Sequence, residues 1–428
     1  MLKVGDNYRV CIEDTNIFGN GVCHIDNKVV FVEKAVLGDV CEIEITEICS
    51  KYAYAKLSSL VNSSSNRIEP CCEHYKKCGG CSFLHVTCEF ENHIKEEYVK
   101  KSFQKHGLNP VVEKISCPVS EKYRNKVVLF FDGESFGYME GGTNEIVPHR
   151  KCLLNDDLFD EIATETAKLL KNAPIRALYL RKSSKETPEI MICPILYSKT
   201  NLDSYAKVIL GKFPEIKTIL VAVSDDEKLL LEKVSFETIY GDGTINDEIC
   251  GISFRISPES FYQVNHTCAE KLYNKAIELA GLEKGMVCAD LFCGTGTIGI
   301  ISAKSTGASV YGVEIVEKAI EDAKHNARLN KVKNAYFEAM DACKFDKKVD
   351  VAIIDPPRKG CSSYMIKTLL NLKPKRIVYI SCNTDTQARD VKLLSEYYEF
   401  SSSVYPFNLF PRTSHVESVV CLTRRIDN

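Results

Sequence analysis

A cysteine and a glutamate near the end of the chain have the residue types needed for nucleophilic chemistry with a partnering base. The apolar run 376–380 ends in Ser381-Cys382-Asn383, and Glu417 directly precedes the last apolar run, 418–422. A thiolate is a strong nucleophile, and a positioned carboxylate removes protons. Taken alone, a cysteine is more often an inert buried thiol, and such a glutamate can be a plain surface residue. As a pair at strand ends, they are a candidate nucleophile and a candidate base.

A glycine-rich loop upstream has the spacing of a nucleotide-binding turn. The run Asp290–Gly299 ends an apolar strand and opens a helix, with Gly294, Gly296 and Gly299 in the pattern G-x-G-x-x-G. Glycines permit a tight turn and let the backbone approach a ligand closely. Glu314 ends the next predicted strand, where a carboxylate can bind a ribose diol. The pattern predicts a nucleotide-type cofactor and leaves NAD and S-adenosylmethionine open.

The segment Asp355-Pro356-Pro357 favours S-adenosylmethionine. In enzymes that use this cofactor, an acid-Pro-Pro element lies at the carboxyl end of the fourth strand, where ligands of open α/β sheets collect. In the aminogroup methylases this loop ends in an aromatic residue that stacks on the target base. Arg358 stands there instead, which argues against that chemistry.

The elements that must position these residues alternate between strands and helices from residue 257 to the end of the chain. Predicted strands are 287–291, 309–313, 351–354 and 376–380, and predicted helices are 265–280, 298–303, 316–329 and 363–372. This order predicts an α/β fold, an open parallel sheet with helices on both faces. Its strand ends would bring the loop, the acid-Pro-Pro segment and Cys382 to one edge.

Two regions precede this domain. Residues 1–60 form short strands separated by turns, which predicts a small OB-like β-barrel that binds nucleic acid or, equally, has no binding role. Residues 67–256 are of mixed α+β character, with a helix over 90–106. The segment Tyr123-Arg124-Asn125-Lys126 offers contacts for phosphate and an unstacked base, or is a solvated loop.

Composition bounds the class of protein. The chain has 428 residues and a formal net charge of −3, from 55 Lys and Arg against 58 Asp and Glu. The N-terminus lacks the apolar core of a secretory signal and no apolar run is long enough to span a bilayer, so we expect a cytoplasmic protein without membrane contact. The near-zero charge is a cancellation, because residues 1–50 carry a net −5 and residues 51–130 a net +5.

The chain holds 20 cysteines, and the tightest group is Cys72-x5-Cys78-Gly-Gly-Cys81, with Cys152 as a later candidate. Disulfides are rare in a reducing cytosol, so metal binding or catalysis must be considered. Such thiolates suit zinc or an iron–sulfur cluster, and the spacing alone leans toward zinc.

Taken together, the motifs closely resemble the RNA uracil-C5 methyltransferase family, which makes 5-methyluridine in tRNA and 23S rRNA. The resemblance rests on Phe261-Tyr-Gln263-Val-Asn265, Asp290–Gly296, Asp355-Pro-Pro-Arg358, Ser381-Cys382-Asn383 and His415-Val-Glu417. It runs over nearly the whole chain, because residues 1–60 look like the TRAM domain of the ribosomal members.

The resemblance implies roles for individual residues. Cys382 is then the nucleophile that adds to C6 of uracil, and Glu417 is the general base. S-adenosylmethionine is the cofactor, and the matching cofactor-binding positions are Gln263, Phe292, Gly294, Gly296, Glu314, Asp341 and Asp355. Cluster-bearing members hold a [4Fe-4S] cluster through C-x5-C-G-G-C and one distant cysteine, which implies Cys72, Cys78, Cys81 and Cys152 here. The extra Cys71 departs from that pattern.

We therefore predict a TRAM domain over 1–60, a central cysteine-cluster domain over 67–256, whose helix 90–106 packs on the catalytic domain, and a Rossmann-like methyltransferase domain over 257–428. The predicted substrate is 23S rRNA, because tRNA-specific members generally lack both the TRAM domain and the cluster, and we expect a monomer. The alternatives are the same chemistry on tRNA, an NAD-linked oxidoreductase, and a non-catalytic iron–sulfur protein that only binds RNA.

Overall fold

The N-terminal part of the chain is a six-stranded sheet. The computed structural model describes residues 2–226, 229 and 231–425. The sheet has the order β1-β5-β6-β4-β3-β2, formed by β1 (Asn7–Cys11), β2 (Asp14–Thr15), β3 (Gly21–Ile25), β4 (Lys28–Val32), β5 (Val40–Ile48) and β6 (Tyr52–Asn62). Alternate residues of β5, namely Cys41, Ile43 and Ile45, are buried in one core. This period of two is that of a half-buried strand.

The central part is a second sheet with helices α2 and α3 packed on it. Its strands follow the order β10-β9-β8-β11-β12-β13-β14. The elements are α1 (Cys88–Lys105), β7 (Val111–Val112), β8 (Lys126–Phe131), β9 (Phe136–Met139), β10 (Ile146–Pro148), α2 (Asp157–Leu169), β11 (Ile175–Lys182), β12 (Ile190–Leu196), α3 (Asp203–Lys212), β13 (Ile216–Val223) and β14 (Phe236–Tyr240). A short ribbon follows, formed by β15 (Ile245–Ile249) and β16 (Ile252–Ile256).

The C-terminal part is an eight-stranded sheet with the order β19-β18-β17-β20-β21-β23-β22-β7. Its elements are α4 (His266–Ala280), β17 (Val287–Leu291), α5 (Thr297–Thr306), β18 (Ser309–Glu314), α6 (Glu317–Leu329), β19 (Ala335–Ala339), β20 (Val351–Ile354), α7 (Ser363–Leu372), β21 (Arg376–Ser381), α8 (Thr384–Leu394), β22 (Tyr398–Phe407) and β23 (Glu417–Arg424). The predicted α/β fold is confirmed.

The expectation of a wholly parallel sheet is wrong at one side. Strands β17 to β21 are parallel, but β23 runs antiparallel to both β21 and β22. Residues 408–416 join β22 to β23 without a helix, and such a connection suits antiparallel rather than parallel pairing. The start of β23 therefore lies at the edge of the sheet where the parallel strands end.

Helices cover both faces of this sheet. One core packs Leu272 of α4 and Ile300 of α5 against the strands. The other core packs Leu369 of α7 and Val391 of α8 together with Phe103 of α1. Helix α1 thus packs on the C-terminal sheet although it lies early in the chain. In the described ranges, no helix is both long enough and apolar enough to cross a bilayer.

Candidate active site

The glycine-rich loop makes a tight turn between β17 and α5. Phe292, Gly294 and Gly296 all have positive φ angles, of 68°, 52° and 76°. Gly296 also lies where a Cβ atom would come within 2.8 Å of the Phe337 ring, so a side chain has neither the conformation nor the space there. The turn leaves the N-terminus of α5 facing the edge of the sheet.

Glu314 is bound to this loop at the end of β18. Its Oε1 accepts hydrogen bonds from the backbone N–H groups of Ile315 at 2.8 Å and Val316 at 3.1 Å. Its Oε2 accepts one from the N–H of Gly294 at 3.4 Å. These bonds orient the carboxylate, and Oε2, which accepts only one of them, has a further lone pair for a ligand hydroxyl.

Two more carboxyl groups lie at the neighbouring strand ends. Burial raises the pKa of Asp290 to about 7, and the charges of Asp355 and Glu314 add to that shift. Burial likewise raises the pKa of Asp355, which follows β20, to about 7. A positive charge close to these carboxyl groups would favour their ionised forms, so the strand ends suit a cationic ligand.

The remaining predicted cofactor positions, Gln263, Asp341 and Phe292, differ in burial and in hydrogen-bond partners. Gln263 is buried, and its backbone carbonyl accepts a bond from Asn125 Nδ2 at 2.9 Å. No hydrogen bond from its side-chain amide to another described residue is present, so that amide is available to a ligand. Asp341, exposed after β19, accepts a bond from the N–H of Cys343 at 2.9 Å and thereby caps a short 3₁₀ turn. Phe292 is half-buried at the turn itself.

Cys382 and Glu417 lie at the adjoining ends of β21 and β23. Ser381 pairs with Ser418, so Cys382 and Glu417 are the next residues along the two antiparallel strands. Burial raises the pKa of Cys382 to about 11, with the charges of Glu417 and Asp355 acting in the same direction. Burial and the charge of Asp355 raise the pKa of Glu417 to about 8.

Arg358, the cation directly after the acid-Pro-Pro segment, lies close to both Cys382 and Glu417. Its positive charge lowers the pKa of both Cys382 and Glu417 against the effects above. Its backbone carbonyl accepts a bond from Asn383 Nδ2 at 3.1 Å, which fixes its loop beside Cys382. A cation directly after an acid-Pro-Pro segment was the available signal. His415 also faces this cation, and burial together with the Arg358 charge lowers its pKa.

The predicted cluster cysteines share one region of the central part. Burial raises the pKa of Cys81 to about 12, and the charges of Cys152, Cys78 and Cys72 raise it further while Arg124 lowers it. The four thiols are therefore electrostatic neighbours beside the half-buried Arg124.

The surroundings of these thiols fit thiolate ligands. The N–H of Gly80 donates to Cys78 Sγ at 3.4 Å, as backbone amides do to cluster-bound sulfur. Burial raises the pKa of Cys78 and Cys152, and the positive charge of Arg124 opposes that shift. In residues 2–226, 229 and 231–425, no group of three or more His, Cys, Asp or Glu side chains is arranged to hold a metal ion. Cys71 is exposed.

The expectation that residues 123–126 contact RNA is wrong for the aromatic residue. Tyr123 is buried, and its hydroxyl donates to the carbonyl of Pro411 at 3.0 Å. Asn125 is buried too and bonds to the backbone of Val264 and Gln263. The segment joins the central and C-terminal parts, which its local sequence could not reveal.

Comparisons with known proteins agree with this arrangement. A family model described as a methyltransferase domain matches residues 282–413, and a TRAM domain model matches residues 2–58. An uncharacterized RNA methyltransferase of Staphylococcus aureus (strain COL) is 35% identical over 94% of this chain and 94% of its own. Another, from Listeria innocua serovar 6a, is 33% identical over 99% of each chain.

A solved structure matches almost end to end. The crystal structure of Pyrococcus abyssi tRNA (uracil-54, C5)-methyltransferase in complex with S-adenosyl-L-homocysteine has a TM-score of 0.80 and 27% identity to this chain. The match covers 97% of this chain and 100% of that one. The glycine-rich loop, Glu314, Asp341, Asp355 and Cys382 lie within the residues that the methyltransferase model matches, and Gln263 and Glu417 lie outside them. The chain therefore belongs to the RNA methyltransferase family, with an N-terminal TRAM domain and a methyltransferase domain that uses S-adenosylmethionine.

Proposed function

We propose that this enzyme methylates C5 of a uridine in RNA through a covalent bond between Cys382 and C6 of the base. The observation that carries the proposal is the facing pair of Cys382 and Glu417 at the sheet edge that holds the glycine loop. Neither an NAD-linked oxidoreductase nor a protein that only binds RNA has a use for this pair. Uracil C5 does require both groups, because it is too weak a nucleophile to react unaided.

The reaction uses each residue in turn. The Cys382 thiolate forms a bond to C6, and the electrons of the C5–C6 double bond move into an enolate over C5 and the C4 carbonyl. S-adenosylmethionine supplies an electrophilic methyl group, which C5 takes. Glu417 removes the proton from C5, and the electrons of that C–H bond restore the double bond and expel the thiolate.

The charges around the site support this sequence. Arg358 favours the thiolate form of Cys382, which burial and nearby carboxylates oppose. The pKa of about 8 for Glu417 suits a general base, since it lies near the working pH. Gln263, Phe292, Glu314, Asp341 and Asp355 would contact the cofactor, whose two positive charges suit the carboxyl groups at the strand ends.

The RNA substrate is the finer part of the proposal. The target base must leave its stack to reach the half-buried thiol of Cys382, so looped or flippable RNA fits best. We propose 23S rRNA as the first candidate. A tRNA is the second, because the Pyrococcus abyssi enzyme that matches 97% of this chain is named for a tRNA uridine. Since that match includes the N-terminal sheet, the TRAM domain alone does not separate the two substrates.

We also propose a [4Fe-4S] cluster held by Cys72, Cys78, Cys81 and Cys152. The shared region of these thiols, the amide bond to Cys78 and the nearby Arg124 support it. Four thiolates leave no open position, so a structural or RNA-contacting role is favoured over redox catalysis.

The test of the proposed chemistry uses RNA transcripts that contain 5-fluorouridine. Fluorine at C5 cannot be removed as a proton, so the enzyme and RNA should remain covalently joined in the presence of S-adenosylmethionine. The adduct should form with 23S rRNA or tRNA transcripts and disappear in Cys382→Ala. Absence of an adduct with either RNA would overturn the mechanism, and unchanged RNA methylation by Cys382→Ala would overturn the role of this cysteine.

A further inference from the structure

The loop that precedes Glu417 is held from outside the methyltransferase domain. Four buried side chains, which we call the clamp, fix residues 408–416 in place. Glu91 and Lys95 lie one turn apart on α1, and Asn408 and Arg412 lie in the loop itself. Their exposed fractions are 1%, 0%, 1% and 6%. Charged residues are seldom this deeply buried unless they are paired.

The first half of the clamp reaches the loop from α1. Lys95 Nζ donates to Glu91 Oε1 at 2.8 Å, to Asn408 Oδ1 at 2.7 Å and to the carbonyl of Phe410 at 3.3 Å. Glu91 Oε1 also accepts from Asn408 Nδ2 at 3.0 Å and from the N–H of Arg412 at 2.9 Å. Away from water these bonds are strong and directional, so they fix the loop backbone at two points.

The second half of the clamp holds the loop from the segment before α1. The Arg412 guanidinium donates to the carbonyls of Phe83 and Val86 at 3.4 and 3.1 Å and to Cys88 Sγ at 2.8 Å. The carbonyl of Arg412 accepts from the N–H groups of Ser82 at 2.7 Å and Phe83 at 3.2 Å. The loop is therefore bound on both its side-chain and its backbone groups.

We infer that the clamp positions Glu417 for removal of the C5 proton, with Glu91 and Lys95 as positioning residues that act through the loop. The inference rests on the proposed function, since it needs Glu417 to be the base. Pairing with β21 sets the direction and register of β23 from Ser418 onward. The loop sets the position of Glu417, the first residue of β23, and of its carboxyl group. Because Ser82 follows Cys81, the same contacts connect the four-cysteine region to the base.

The inference separates two steps of the reaction. Cys382 is held by β21 and α8, and the cofactor loop lies between β17 and α5. The clamp contacts themselves involve none of these elements. Helix α1 meets α8 beyond the clamp, where Thr384 Oγ1 donates to Ser102 Oγ at 3.2 Å. Loosening the clamp should therefore slow the proton removal and leave thiolate addition and methyl transfer nearly unchanged.

The test uses the full-length double variant Glu91→Gln with Lys95→Met, which removes the two buried charges of α1 together. Arg412, which lies 3.5 Å from Glu91, keeps its bonds to the carbonyls of Phe83 and Val86. Lys100→Met is the matched control, because Lys100 lies on the same helix in an exposed pair with Glu97. Two rates are measured on the transcript that gives the wild-type adduct. Adduct formation with 5-fluorouridine RNA reports thiolate addition and methyl transfer, and tritium release from RNA with 5-tritiated uridine reports proton removal.

In the double variant we expect tritium release to slow by about 10- to 100-fold, as for a misplaced catalytic group. Adduct formation and binding of S-adenosylmethionine should stay within about twofold of wild type, and the control should match wild type in both rates. An equal loss of both rates, an unchanged tritium release, or loss of cofactor binding would overturn the inference. Failure of the wild-type enzyme to form any adduct would overturn the proposed function instead, so the two failures are distinguishable.

Discussion

Cys382 and Glu417 occupy neighbouring antiparallel strands, one residue beyond the paired Ser381 and Ser418. Strands in a sheet lie about 4.8 Å apart, so both side chains can reach one planar ring placed over the strand ends. Addition and proton removal take place at adjacent ring atoms. A nucleophile and a base on adjacent strands suit that requirement.

Replacing the proposed base should stop the reaction after methyl transfer. In Glu417→Gln the thiolate still adds to C6, but the C5 proton has no acceptor, so a methylated covalent adduct should build up on ordinary uridine. Tritium release from 5-tritiated uridine should fall by about 10²- to 10⁴-fold. A denaturing gel detects the adduct, and the control that combines Glu417→Gln with Cys382→Ala should show none. Normal release without an adduct would remove Glu417 from the mechanism.

The rate of methylation should rise with pH through about 8. Glu417 accepts a proton only when ionised, and its pKa of about 8 means that the active fraction falls by about tenfold per pH unit well below that value. Arg358→Met should move the profile to higher pH, because the lost charge lowers the pKa of both Glu417 and Cys382. Single-turnover rates across pH measure this shift. Lys359→Met, at the exposed next position, should leave the profile in place.

Loss of the Asp355 carboxylate should weaken the binding of S-adenosylmethionine more than the binding of its product, S-adenosylhomocysteine. S-adenosylmethionine carries a sulfonium charge that S-adenosylhomocysteine lacks, so Asp355→Asn should raise the dissociation constant of the former by about tenfold and of the latter less. Calorimetry at pH 8, where Asp355 is mostly ionised, measures both constants. Glu321→Gln, in an exposed pair with Lys318 on α6, is the control. Equal weakening of both ligands would contradict a charge effect at Asp355.

Two glycine substitutions should change stability in opposite directions. In Gly312→Ala the new methyl would lie 2.4 Å from the buried Phe337 ring, so we expect about 1–3 kcal/mol of destabilisation. Gly211 lies in α3 with no heavy atom within 4 Å of an added Cβ. Gly211→Ala should therefore stabilise that helix by about 0.5–1 kcal/mol. Thermal unfolding of both variants tests these expectations. A raised unfolding midpoint for Gly312→Ala would contradict the packing of Gly312 against Phe337.

Replacing Cys81 should remove the proposed cluster, whereas replacing Cys71 should leave the cluster in place. Anaerobically purified protein should contain iron and labile sulfide, and Cys81→Ser should abolish both together with the brown colour. Cys71→Ser should retain them, because Cys71 is exposed and lies outside the proposed ligand set. Zinc in place of iron, or equal loss in both variants, would contradict the proposed cluster.

Turns and strands that are determined by a few neighbouring residues were predictable from the sequence. The turn at Gly294 and Gly296 follows from glycine placement beside an apolar strand, and Cys382 follows an apolar run that does form β21. The direction of β23 was not predictable from its own residues, because an apolar run does not indicate whether its strand pairs in parallel or antiparallel. It is set by the short connection and by pairing with β21.

Features that depend on distant pairing were missed. Glu91 and Lys95 look like an ordinary surface pair at helical spacing, and nothing local indicates that Asn408 and Arg412 bury them. Tyr123 similarly looks like an exposed aromatic contact, although Pro411 accepts its hydrogen bond inside the protein. Burial by a partner hundreds of residues away leaves no periodic signal.

The clamp also has a consequence for folding during synthesis. Lys95 and Asn408 are separated by 313 positions along the chain. A polypeptide that ends before Asn408 has the cofactor loop but neither the proposed base Glu417 nor the loop residues of the clamp. Pairings this remote close late in folding, because a long loop must be ordered first. If Glu417 is the base, we therefore expect a product truncated before Asn408 to bind the cofactor and to be unable to complete methylation.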